Sequence, residues 1–141
     1  MDELGMKKKV KILFAIALIF TDVQAGDIVV IGNSNVPKMD VQTVQKVYTG
    51  RFVSVDGVSI SPVSAKSGTL IRNRFLQDFM NQDEEKYTGY WTVRRYVGKG
   101  TPPNELGSPE EVINYVQSTP GGVGYIDEAE LKAGMNVVTR K

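Results

Sequence analysis

Residues 61–80 constrain this chain more than any other stretch. Ser61-Pro62-Val63-Ser64-Ala65 reads as the end of a strand, Lys66-Ser67-Gly68-Thr69 as a tight turn, and Leu70 to Met80 as a helix. Ile71, Phe75, Leu76, Phe79 and Met80 recur at helical spacing and form its inner face. Arg72, Arg74, Gln77 and Asp78 fall outside it, with Arg72 within the first turns. Ser67 is the expected N-cap, because its hydroxyl can accept a backbone N–H that the first helical turn leaves free. Gly68 lets another group approach the backbone closely, and Thr69 adds a hydroxyl. Free amides, hydroxyls and the positive end of a helix dipole together suit a bound oxyanion, and Lys66 adds a full charge. The candidate oxyanion-binding residues are therefore Ser64, Lys66, Ser67, Gly68 and Thr69. The plainer reading of the same residues is that Ser67 does no more than cap the helix.

The totals exclude much. The 141 residues suffice for one modest domain with a real core. The sequence has no Cys and no His, which excludes disulfides, a thiol nucleophile, a His general base and nearly all zinc or copper sites. The net charge is +1, and residues 1–25 carry four lysines against three acids, so the remainder is neutral. A neutral domain has no general electrostatic pull on nucleic acid or anionic lipid.

The N-terminus reads as an export signal. Lys7-Lys8-Lys9 and Lys11 form a basic region, Ile12 to Phe20 a continuous apolar run, and Val23-Gln24-Ala25 a cleavage site expected to be cut after Ala25. The apolar run is shorter than the roughly 20 residues a membrane span needs. Residues 1–25 are thus expected to be a signal peptide, with Met1 or Met6 as the start. Residues 26–141 would be a periplasmic domain with no stable membrane insertion once the signal is removed.

That domain opens with Ile28-Val29-Val30-Ile31, a β-branched run expected to be a strand buried on both faces. Asp40 caps a helix with Val41, Val44, Val47 and Tyr48 on one face, ended by Gly50. Asp56-Gly57 predicts a two-residue turn in a short hairpin. Tyr87 to Tyr96 interleaves aromatic residues with arginines, a pattern that can stack on bases, but a single such segment in a neutral domain reads as core packing. Ser108-Pro109-Glu110-Glu111 is a capping box opening a helix that buries Val112, Ile113 and Val116. Val123 to Ile126 and Val137-Val138 are further strands. Strands alternating with helices predict a single α/β layered domain with a mixed, mostly parallel sheet flanked by helices.

Several of these stretches, taken in order, carry a family resemblance. They are Val29-Val30-Ile31 before an Asn-rich loop with Pro37, then Val47-Tyr48-Thr49-Gly50-Arg51, then Ser67-Gly68-Thr69 with Phe75. Trp91, Gly98-Lys99-Gly100, Pro103 and Gly121-Gly122-Val123-Gly124-Tyr125 follow. The chain resembles the periplasmic phosphate-binding proteins of ABC transporters over most of residues 28–127. The resemblance implies one lobe of a type 2 periplasmic binding protein, in which Ser67, Gly68 and Thr69 match the second lobe's phosphate-contacting turn. The family usually carries an Arg four residues before that Ser and an Asp two before it. Here those positions hold Val63 and Ala65, and the first lobe is missing.

Two functions follow as expectations. One is a periplasmic oxyanion-binding module, most simply for phosphate, binding weakly, with a second copy or an envelope partner supplying the missing half. The other is a structural or adaptor protein of the cell envelope that retains the fold without the ligand. An enzyme is not expected, since no nucleophile–base pair or metal cluster assembles from these residues, and no cofactor is implied. Asp127, Glu128 and Glu130 read as a solvated turn.

Overall fold

The computed structural model describes residues 26–141; the signal-peptide reading falls on residues 1–25, outside that range. Five strands form one sheet in the order β5-β4-β6-β1-β7, with β1 Ile28–Gly32, β4 Ser61–Ala65, β5 Asn104–Leu106, β6 Gly122–Asp127 and β7 Asn136–Arg140. A separate hairpin pairs β2 Ser54–Val55 with β3 Val58–Ser59. The helices are α1 Val41–Tyr48, α2 Leu70–Phe75, α3 Glu84–Tyr96 and α4 Pro109–Ser118.

The α/β class and the mixed sheet flanked by helices are as the sequence predicts. The sheet is also mostly parallel, as predicted: β4, β5, β6 and β7 run in one direction and β1 alone runs against them. β4 runs parallel to β5 and to β6, because helices carry the chain from β4 to β5 and from β5 to β6. β1 runs opposite to both its neighbours, β6 and β7.

β1 and β6 lie inside the sheet and are buried on both faces, which accounts for their near-continuous apolar sequences. Alternation along β1 feeds two cores. Ile28 and Val30 join Val44, Tyr48, Phe75, Phe79, Tyr87, Trp91 and Tyr125 under α1, α2 and α3. Val29 and Ile31 join Val63, Val112, Val116 and Ile126 under α4.

Local signals place most element ends. The Asp40 carboxylate accepts from the Thr43 amide at 2.7 Å at the start of α1, and Ser108 accepts from the Glu111 amide at 3.2 Å at the start of α4. Asp56 and Gly57 adopt φ of 48° and 82°, the paired positive angles of a tight hairpin turn. Gly121 has φ of 78°, and a Cβ there would lie 1.9 Å from the Ser59 carbonyl oxygen, so only glycine fits where β3 passes into β4. α2 continues through residues 76–80 as a π-helical turn that keeps Leu76, Phe79 and Met80 buried.

The aromatic segment is α3, and it packs rather than displays its rings. The Tyr87 hydroxyl donates to the Tyr48 carbonyl at 2.8 Å, the Trp91 indole N–H to the same carbonyl at 3.3 Å, and the Tyr90 hydroxyl to the Thr49 carbonyl at 2.7 Å. Three ring donors thus satisfy carbonyls that the C-terminus of α1 leaves open. This contact sets α3 beside the turn that follows β4.

Candidate functional site

The turn between β4 and α2 is where the sequence places an oxyanion. Gly68 has φ of 86°, and nothing lies within 4 Å of where its Cβ would be, so the space before the turn is open. The helix cap is Thr69 and not Ser67: the Thr69 hydroxyl oxygen accepts from the Arg72 amide at 3.4 Å and donates to the Lys66 carbonyl at 2.7 Å. Ser67 lies two residues too early to reach the first free amides, because residues 66–69 close a turn of their own through the Thr69 amide and the Lys66 carbonyl, 3.3 Å apart.

Freed from capping, Ser67 bonds elsewhere. Its amide donates to Glu105 Oε1 at 3.0 Å and its hydroxyl to Glu84 Oε1 at 2.5 Å. Arg72 completes the cluster. It is buried, contrary to its expected place on the outer face, because it lies three residues before Phe75 and seven before Phe79 on the inward stripe. Its Nε and Nη2 donate to the two oxygens of Glu84 at 2.8 and 2.9 Å, a two-point grip that fixes both planes. Its Nη1 donates to the Ala65 carbonyl at 3.2 Å and pairs with Glu105 Oε2 at 3.3 Å. Its guanidinium also lies 5.4 Å from the centre of the Tyr87 ring.

The other candidates part company. Ser64 is buried behind the turn, where its hydroxyl shares a 2.7 Å hydrogen bond with the Tyr125 hydroxyl and lies 3.5 Å from Arg72 Nη1. Lys66 and Thr69 line a small apolar hollow of about 60 Å³ with Leu106, Gly107 and Pro109. Ser67 instead lines a separate cleft of about 280 Å³ with Arg72, Glu84, Tyr87, Trp91 and Glu105. So the structure joins Ser67 to Arg72 and two carboxylates, and sets Lys66 and Thr69 on the other side of the turn.

Glu84 and Glu105 are the residues that sequence reasoning missed, while Arg72 was singled out for its place within the first turns but set on the outer face. Arg72 carried one signal, a charged residue in phase with the apolar face of its helix. Glu105 carried none, since Asn104–Leu106 is a three-residue edge strand whose register beside β4 sets Glu105 opposite Ser64.

Charges in the corner are coupled. Burial pushes the Glu84 carboxyl up, but hydrogen bonds from Arg72 and Ser67 and the guanidinium charge outweigh it and hold it below the ordinary carboxylate value. Burial opposes the Arg72 charge as well, and the Glu84 hydrogen bonds and charge more than compensate. Burial pushes the Tyr125 and Tyr87 hydroxyls up, so both remain protonated donors near neutral pH. Two carboxylates, those of Glu84 and Glu105, thus face the Arg72 guanidinium, and Arg95 lines the same cleft.

The acidic residues near the C-terminus serve the backbone. Asp127 accepts from the Ala129 amide at 2.9 Å and pairs with Arg74 at 3.3 Å, while Glu128 pairs with Arg140. Among the described residues no group of acids could hold a metal ion, and no helix is long and apolar enough to cross a membrane.

A mixed sheet layered by helices, with a strand–turn–helix junction at the end of β4, is a fold that this chain shares with part of several solved substrate-binding proteins. A structure described as a phosphate ABC transporter substrate-binding protein of Clostridium perfringens with bound phosphate matches with a TM-score of 0.62 and 18% identity, over 79% of this chain and 44% of that one. An ABC-type phosphate transport receptor from Vibrio cholerae matches with a TM-score of 0.55 and 11% identity, over 79% and 45%. PstS from Borrelia burgdorferi matches with a TM-score of 0.58 and 15% identity, over 80% and 46%. The chain thus spans less than half the length of each of these proteins. No protein-family model and no curated protein matches the sequence.

Proposed function

We propose that this chain is an exported, periplasmic oxyanion-binding module of weak affinity, with phosphate as its first candidate ligand. The observation that carries the reading is that the Ser67 amide, the Ser67 hydroxyl and the Arg72 guanidinium already converge on anionic oxygens, those of Glu84 and Glu105. Donors so arranged fit the oxygens of a tetrahedral anion as well as those of a carboxylate. The fold shared with phosphate-binding proteins supports the choice of ligand. In this reading Ser67, the open amide side of Gly68 and Arg72 contact the anion. Thr69 holds the turn, Ser64 supports Arg72 from behind, and Lys66 acts only at longer range.

Affinity is low for two physical reasons. A single lobe leaves the anion half in water, where charge pairs are screened. The Glu84 and Glu105 carboxylates, already seated on these donors, also oppose an incoming anion. Calorimetry with phosphate, sulfate and nitrate tests the reading: heat at millimolar phosphate that fades with added salt supports it, and none from a folded sample rejects it.

A second reading has its own observation. The Ser67 amide and the Arg72 guanidinium are satisfied within the fold, and Val63 and Ala65 stand where charged ligand groups are usual. This favours a structural or adaptor protein of the cell envelope that keeps the lobe and not the ligand. Co-purification from envelope extracts discriminates, since an adaptor is recovered with a partner and a free monomer is not one.

A further inference from the structure

We propose that Glu105 is a built-in competitor for the oxyanion corner, a displaceable internal anion that keeps the site closed until an external one takes its place. The proposal rests on the oxyanion reading above and specifies how that site is regulated. Two carboxylates hold the corner, and they are not equivalent. Glu84 grips Arg72 through two bonds of 2.8 and 2.9 Å, accepts from Ser67 Oγ at 2.5 Å and from Thr88 Oγ1 at 3.2 Å, and stands in the first turn of α3. Its side chain is 27% exposed. Glu105 makes one hydrogen bond, to the Ser67 amide at 3.0 Å, and one ion pair of 3.3 Å with Arg72, and its side chain is 42% exposed. It belongs to the edge strand β5, paired on one side to β4.

Rotation of the Glu105 side chain into solvent therefore breaks two contacts and leaves Arg72 neutralised by Glu84. The same rotation frees the Ser67 N–H and leaves Arg72 Nη1 with its bond to the Ala65 carbonyl but without its carboxylate partner; Ser67 and Arg72 both line the cleft of about 280 Å³. An arriving oxyanion then replaces the departing carboxylate on the same donors, so binding is an exchange and its free energy is reduced by the contact that Glu105 gives up.

Phosphate calorimetry at low salt on the wild type, Glu105→Gln and Glu105→Ala tests this, with circular dichroism confirming that each is folded. The Gln variant keeps the shape and loses the charge, and the Ala variant removes the group, so one of them remains informative if the other fails to fold. Phosphate binding at least tenfold tighter in either variant than in the wild type is the expected result. Equal affinity in all three overturns the competitor role and leaves the oxyanion reading standing. Absence of heat from the folded wild type overturns the oxyanion reading, and with it the competitor role that rests on it.

Discussion

Arg72 shows how one residue changes the character of a surface turn. A guanidinium on the core face of a helix is tolerated only with its charge matched and its donors filled, and here Glu84, Ala65 and Glu105 do both. Removing one partner of such a pair leaves the other desolvated and costs on the order of 3 kcal/mol. Glu84→Gln is therefore expected to lower the urea unfolding midpoint at neutral pH. The Glu84 carboxyl is held below its ordinary value in the folded chain, so its contribution is fully present above the unfolded carboxylate value of about 4.3. That contribution is lost as pH falls through the folded value. The gap in stability between wild type and Glu84→Gln should close as pH drops below about 4, as urea titrations at pH 7 and pH 3 would measure. The sequence marked the turn residues Ser67 to Thr69 correctly as a turn but misassigned its cap. A Ser and a Thr two residues apart are both good caps, and only the hydrogen bonds decide between them.

Among the elements, β6 does more than fill the sheet. Its Tyr125 ring stacks on Phe75 at 3.9 Å with the planes 4° apart, and its hydroxyl accepts from the Ala65 amide at 3.0 Å. β6 thus fastens the end of β4, the root of the oxyanion turn, to α2. Tyr125→Phe keeps the stack and strips the buried Ala65 amide of its partner, which costs about 1–3 kcal/mol. A fall in urea midpoint of that size, with the far-ultraviolet spectrum unchanged, is the expected outcome. The Gly-x-Gly-Tyr stretch was legible as a strand because its residues are apolar or small and end at a turn. That its tyrosine would clamp a neighbouring strand was not, since the register of β4 beside β6 depends on the helices between them. α3 shows the same division. Its aromatic residues announced packing, while their hydroxyl and indole bonds to the end of α1 depend on where that helix stops.

For the whole molecule, the decisive fact is that one sheet serves two cores. β1 sends Val30 to one and Val29 to the other, so neither core can form without the shared strands. The described domain should unfold in a single cooperative transition, with far-ultraviolet dichroism and the fluorescence of the one tryptophan, Trp91, changing together. A tryptophan transition at lower urea would show α3 parting first. The sequence by itself determined several of the elements: a continuous β-branched run for β1, helical spacing for α1, α2 and α4, and short polar caps and glycines at their ends. These are local properties, encoded within a few residues. Tertiary structure alone decided what fills the oxyanion corner, because Glu84 and Glu105 lie 17 and 38 residues from Ser67 and are brought to it by packing. No pattern of neighbours along a chain specifies which distant carboxylate a backbone amide will meet.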